Sequence, residues 1–172
     1  MIYWMKRGGI SLLLILAVAV GSQAQKFGYL NSAELLSKMP ETQSADASLK
    51  SYRDGLVSKG QKMAEDLQNK YLNYMEQANS GAMTPVQMQS AEAELQQDQQ
   101  KLAAYEQEVM DKVQKKRQEL YTPILEKVQT AIEEVGKEQS YEFIFDVGVM
   151  NVLLFAEESD NVAPLVKKKL NL

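Results

Sequence analysis

The 172-residue chain contains no cysteine and no histidine. Without cysteine there is no disulfide, zinc–thiolate site or thiol nucleophile, and no lipid joined through an N-terminal cysteine. Without histidine the commonest general base and the commonest metal ligand are both missing. Basic character is lacking too. Lys and Arg number 19 against 23 Asp and Glu, for a net charge of −4 and a pI near 5.0. A nucleic-acid partner, met through its phosphates, wants the opposite sign. Aromatics reach only 8%, while glutamine is abundant, a balance that suits an elongated helical chain. No glycine-rich loop of phosphate-cradling type is present. Adjacent acids such as Glu92 with Glu94, or Glu157 with Glu158, could in principle do acid–base work, but nothing in their surroundings would bury them, so no catalytic constellation emerges.

Long apolar runs are scarce as well. The longest, Ile10 to Val20, is broken only by Ser11 and follows Lys6 and Arg7. At about 11 residues it falls short of the ~20 needed to span a bilayer. Ser22 and Ala24 then supply small residues two apart, as a signal peptidase requires. The expectation is a signal peptide over residues 1–24, cleaved after Ala24, and export to an envelope compartment.

What is present in quantity is helical repeat. From Glu41 to Tyr121 the apolar residues form two narrow seams. One holds Leu49, Tyr52, Leu56, Met63, Leu67, Tyr71, Tyr74 and Ala78; the other holds Met88, Leu95, Leu102, Val109, Val113 and Leu120. Steps of three, four and seven make this a coiled-coil seam and not the broad face of a core helix. Asn79-Ser80-Gly81 ends the first helix, and Thr84-Pro85 reads as N-cap and first position of the next. The expected object is an antiparallel helical hairpin whose ascending half runs on the order of 38 residues, or roughly 57 Å.

Gly55 and Gly60 interrupt the ascending helix, each at a cost of about 1 kcal/mol relative to alanine. They are candidate hinges; the other possibility is close packing against the partner helix. Pro123 interrupts the descending helix, is expected to kink it at the junction of arm and base, and is the third candidate hinge.

The base comprises residues 25–40 and 122–172. Phe27 to Leu30 and Tyr141 to Val147 read as strands, the second with Tyr141, Phe143, Phe145 and Val147 on one face. Val152 to Ala156, apolar on both faces, reads as a third strand forming a hairpin with the second. Ser159-Asp160 is expected to cap a last helix over Asn161 to Leu170. The fold class is thus α+β, mostly α: a coiled-coil arm on a small three-stranded body. Such a body is too small to hide both faces of its sheet, so self-association is expected. A closed ring of copies would remove the open edges, although periodicity does not set its size.

These stretches in this order resemble the Skp/OmpH family of periplasmic chaperones over essentially the whole mature length. Phe27-Gly28-Tyr29-Leu30-Asn31, Met39-Pro40-Glu41, the polar hairpin, Arg117-Gln118-Glu119-Leu120 before Thr122-Pro123-Ile124, and Tyr141 to Asp146 with Leu153 to Ala156 carry the resemblance. It implies a jellyfish-like homotrimer without cofactor or ATP, whose arms enclose unfolded outer-membrane proteins. Phe27, Tyr29, Phe143, Phe145, Val152 and Leu154 match the strand positions that build the trimer body. The charge pattern departs from the family's. Residues 65–100 hold Glu65, Asp66, Glu76, Glu92, Glu94 and Asp98 against Lys70 alone. The positions of the family's basic, lipopolysaccharide-binding arm cluster fall at about Asp111 and Lys112, so that cluster is not kept. Lys112, Lys115, Lys116 and Arg117 instead suggest a solvated face with partners such as Asp111 for Lys115.

Holding an unfolded guest needs many weak apolar contacts. Met75 and Met83, off the seam or at the tip, are candidate client contacts because thioethers adapt to varied shapes. Tyr71, Tyr74 and Tyr105 would add amphipathic area. The alternative from another class is a structural or adaptor coiled coil of the cell envelope, which would use the same seam without holding a client.

Overall fold

A computed structural model describes residues 25–148 and 153–172. Strand β1 (Phe27–Leu30) is followed by helix α1 (Ser32–Ser37) and the two arm helices α2 (Pro40–Asn79) and α3 (Pro85–Glu138). Strand β2 (Phe143–Asp146), a single 3-10 turn (Glu158–Asp160) and helix α4 (Ala163–Leu170) complete the chain. The expected leader lies outside the described residues.

Local chemistry sets most boundaries. Asn31 caps α1 by accepting from the Glu34 amide at 2.9 Å. Pro40 opens α2, where its missing N–H costs nothing. At the tip Gly81 takes φ +71°, a left-handed conformation that favours glycine. Thr84 then forms a full capping box with Gln87, and Pro85 begins α3. The arm helices run 40 and 54 residues. α3 continues through Pro123 as one helix, whose next residue, Ile124, is buried.

The strands pair with each other, which the sequence did not lead one to expect. β2 lies parallel to β1, with Phe27 opposite Phe143 and Tyr29 opposite Phe145. The whole arm is therefore the crossover between two parallel strands. The expected hairpin from β2 to Leu153–Ala156 does not form: those four residues are not in a strand, and Leu154 is 97% exposed. A run apolar on both faces needs cover on both sides, and a single chain has none to give it. Val152 lies outside the described residues. Tyr141 also departs from expectation, since it packs toward the core beside Gly28 and not on the outer strand face. The last helix starts at Ala163, two residues late, because Asp160 is used by the 3-10 turn.

The core is small and sits at the root of the arm. Leu30, Leu35, Met39, Ala45, Ile124, Val128 and Val135 pack with Val162, Val166 and Leu170 of the C-terminal segment. Gly28 is required here. A Cβ on it would lie 2.7 Å from Val162 Cγ1 and 3.0 Å from Tyr141 Cε1. Asp146 ties β2 to α1 by accepting from the Ser32 amide at 3.0 Å and the Gly148 amide at 2.8 Å, and from the Ser32 hydroxyl.

Candidate functional site

Two surfaces stand out. The first is the outer face of the sheet. Strand alternation sends Gly28 and Leu30 inward and leaves Phe27, Tyr29, Phe143 and Phe145 on the other side. Phe27 and Phe143 stack at 6.0 Å between ring centroids, and Phe143 and Phe145 at 6.3 Å. Phe143 remains 58% exposed. An open, mostly apolar hollow of about 390 Å³ continues from Phe27 and Phe145 to Leu153 and Phe155. Tyr29 is half-buried, and its hydroxyl donates to Glu158 at 3.3 Å. Burial first, and then the Glu158 charge, raise the pKa of that phenol. Four of the six predicted body residues thus share one face, while Leu154 stands apart in an exposed loop.

The second surface is the arm. Its seam is largely as the spacing predicts: Leu56, Met63, Leu67, Tyr74, Met88, Leu102 and Val109 are half-buried and Leu95 is buried. Tyr52 and Tyr71 are corrections, being exposed instead of zipped into the seam. Tyr105 is another. Expected as client-contact area, it is only 6% exposed and its hydroxyl donates to the Leu56 carbonyl at 3.0 Å. A buried phenol must find an acceptor, and the carbonyl across the hairpin is within reach.

Polar contacts also bind the two helices. Lys70 bridges Glu94 at 2.6 Å and Asp98 at 2.7 Å, and Lys101 joins Asp98 at 2.9 Å. Hydrogen bonds from Lys70 and then Lys101 lower the Asp98 pKa, while Asp98 and then Glu94 raise that of Lys70. Tyr74 donates to Glu92 at 2.5 Å, and this bond, followed by desolvation, raises its pKa. At the root Lys127 meets Glu41 at 2.5 Å, and Tyr121 donates to Asp46. In the basic stretch Lys112 pairs with Glu108 at 2.6 Å and Lys116 with Glu119 at 2.9 Å. The expected Asp111–Lys115 pair is not among the ion pairs of the described residues.

The candidate client and hinge residues fall in different settings. Met75 is exposed, whereas Met83 is half-buried at the tip beside Tyr74, Gln77 and Leu95 in a hollow of about 160 Å³. Around Gly55 a Cβ would meet nothing within 4 Å. At Gly60 it would meet the Tyr105 ring at 3.4 Å, an ordinary contact distance. Sequence reasoning missed Val57, Leu72 and Met110, which are exposed on the arm. Their signal was available: each is an apolar residue that falls outside the seam.

Among the described residues no helix is long and apolar enough to cross a membrane, and no group of three or more acidic side chains could hold a metal.

The sequence profile of the OmpH-like outer membrane protein family matches residues 26–170. No curated protein matches the chain. Among solved structures, a candidate outer membrane chaperone (OmpH-like) from Caulobacter crescentus superposes with a TM-score of 0.73 at 14% identity, covering 88% of this chain and 86% of the other. At that identity the likeness speaks for the fold.

Proposed function

Because the chain belongs to the OmpH-like outer membrane protein family, we propose that it is an ATP-independent holdase chaperone of the periplasm. Three copies join through their sheets, and the arms enclose unfolded outer-membrane β-barrel proteins. The leader over residues 1–24 delivers it and is removed after Ala24. The observation that carries this reading is the uncovered body, with Phe143 58% and Leu154 97% exposed beside the stacked phenylalanines. A chain with so small a core gains by burying that face against copies of itself. The arms have no core of their own, so they project from the shared body and offer long surfaces. Enclosure keeps the strand edges of one guest from pairing with those of another. Release without nucleotide follows if each contact is weak.

Light scattering of the mature chain tests the assembly: three chain masses are expected, and Phe143→Glu should reduce the mass to that of one chain. A monomeric parent protein would sink the cage. The holding activity is tested by diluting a urea-unfolded β-barrel protein into buffer without ATP. Soluble guest at equimolar trimer is expected. Aggregation even at excess trimer would favour an envelope adaptor instead.

A further inference from the structure

The arm is two-sided, and the sides differ in charge. On α2, with about 100° of rotation per residue, Val57, Gln61, Ala64, Gln68, Leu72 and Met75 follow one another in steps of three or four and form one flank of the seam. No charge occurs among them, and Tyr71 lies on the same side. On the opposite flank the same steps give Lys59, Lys62, Asp66 and Lys70. α3 repeats the division. Gln96, Gln99, Ala103, Glu106 and Met110 form one flank, and Glu94, Asp98, Lys101 and Glu108 the other. The contacts show which flanks lie side by side. Lys70 reaches Glu94 and Asp98, so the charged flanks adjoin. Val57, Gln61 and Ala64 share an open groove of about 310 Å³ with Leu102, Val109 and Glu106, so the flanks without cations adjoin too.

Exposed apolar area follows the same division. Val57, Tyr71, Leu72, Met75 and Met110 are on the cation-free side, with Leu72 56% exposed, while Tyr52 lies on the charged side and Val86 on the back of α3. From Val57 to Met75 that strip covers ~27 Å. It contains no cation. Its acids are Glu106, Glu92, which accepts from Tyr74, and Glu65 at its edge, seven residues before Leu72.

We infer that this cation-free flank, rather than the seam or the tip, is where the arm grips its guest, and that the guest segment it fits is extended, apolar and free of acidic side chains. This rests on the holdase reading and names the surface that would do the holding. An unfolded β-barrel strand presents apolar side chains on alternate residues, which match a long apolar strip with a shallow groove. A guest carboxylate pressed there would lose water and find no cation, and would face Glu92 or Glu106 instead. A guest lysine would find those two carboxylates. The charged flank, where Lys70 is already paired across the hairpin with Glu94 and Asp98, stays in solvent.

The test places a photo-crosslinking residue at Gln68 or at Asn73, one on each flank, in the full mature protein holding a urea-diluted β-barrel protein. Crosslinks are expected from position 68 and few from 73. In parallel, Leu72→Glu with Met75→Glu is compared with Asn69→Glu with Asn73→Glu, which adds the same two charges to the other flank. The first pair should weaken holding about tenfold and the second should not, since only the first places charge where the guest is desolvated. All four positions are exposed, and circular dichroism confirms helix content. Equal crosslinking from both flanks, or equal loss from both pairs, overturns the assignment while leaving the chaperone reading intact. A parent protein that holds no guest overturns both.

Discussion

Replacing Gly55 and Gly60 by alanine should stiffen the ascending helix by about 2 kcal/mol in total, from roughly 1 kcal/mol at each interior position. The surroundings permit both changes. A methyl at position 55 meets nothing within 4 Å, and one at position 60 touches the Tyr105 ring at 3.4 Å. Neither glycine is therefore demanded by packing of an alanine-sized side chain. The helix carries two unforced weak points within one turn and a half, above the root and below the acidic distal arm. Hydrogen exchange reads the effect locally. Amides of α2 around these positions should exchange about thirtyfold more slowly in the double variant, if they open by local unfolding. Slower exchange in G55A with faster exchange in G60A would assign the second glycine to close packing against Tyr105. No change in either would mean the helix does not open there, and the joint would have to be sought elsewhere. If the double variant is stiffer yet holds large and small guests as well as the parent does, bending is not what the glycines provide.

Three further outcomes follow from single contacts. Gly28→Ala should destabilise the body by about 1–3 kcal/mol, because its methyl would overlap Val162 Cγ1; unchanged thermal unfolding would count against the packing described around β1. Tyr105→Phe should cost about 0.5–1.5 kcal/mol through loss of the hydroxyl's bond to the Leu56 carbonyl, and a denaturation midpoint equal to the parent's would contradict it. The pKa values of Asp98, Glu108 and Asp146 are all lowered in the folded chain. At Asp146 burial pushes upward, but the bonds from Ser32 and Gly148 outweigh it. Stability owed to these groups is present above their unfolded values, about 4, and is lost as pH falls through the lower folded ones. With no histidine to titrate, melting temperature should stay level between about pH 5 and 8. A step inside that window would show that some other group governs.

Periodicity revealed the arm because its signal repeats over many turns. The tip was equally legible, since Thr84-Pro85 and Gly81 each have a conformational reason to stand where they do. Strand partners were not. Chain neighbours usually pair, so Leu153–Ala156 looked like the mate of Phe143–Asp146, and nothing local reveals that Phe27–Leu30 takes that place from the far side of the arm. Tyr105 was misjudged in a different way. It continues the three-and-four spacing from Leu102 to Val109, so its place between the helices was legible, and the Leu56 carbonyl satisfies its hydroxyl there. The two flanks were in the sequence all along. They became legible only when the Lys70 contacts showed which side of α3 faces which side of α2.

The same contacts separate the three candidate joints. Pro123 lies within the clamped root. Its neighbour Ile124 is buried in the core, Tyr121 holds Asp46, and Lys127 holds Glu41. Any bend that proline favours is fixed there by its surroundings, and α3 passes through it unbroken. Gly60 has Tyr105 beside it, bonded across the hairpin. Gly55 alone of the three sits above the clamp with open space around it. The arm is expected to flex at Gly55 and to be rigid at Pro123. Spin labels at the arm tips of the assembled protein would report this as a spread of tip-to-tip distances. Gly55→Ala should narrow the spread and Pro123→Ala should leave it unchanged. The reverse result would mean that the packed root yields before the exposed helix does, against the burial that surrounds it.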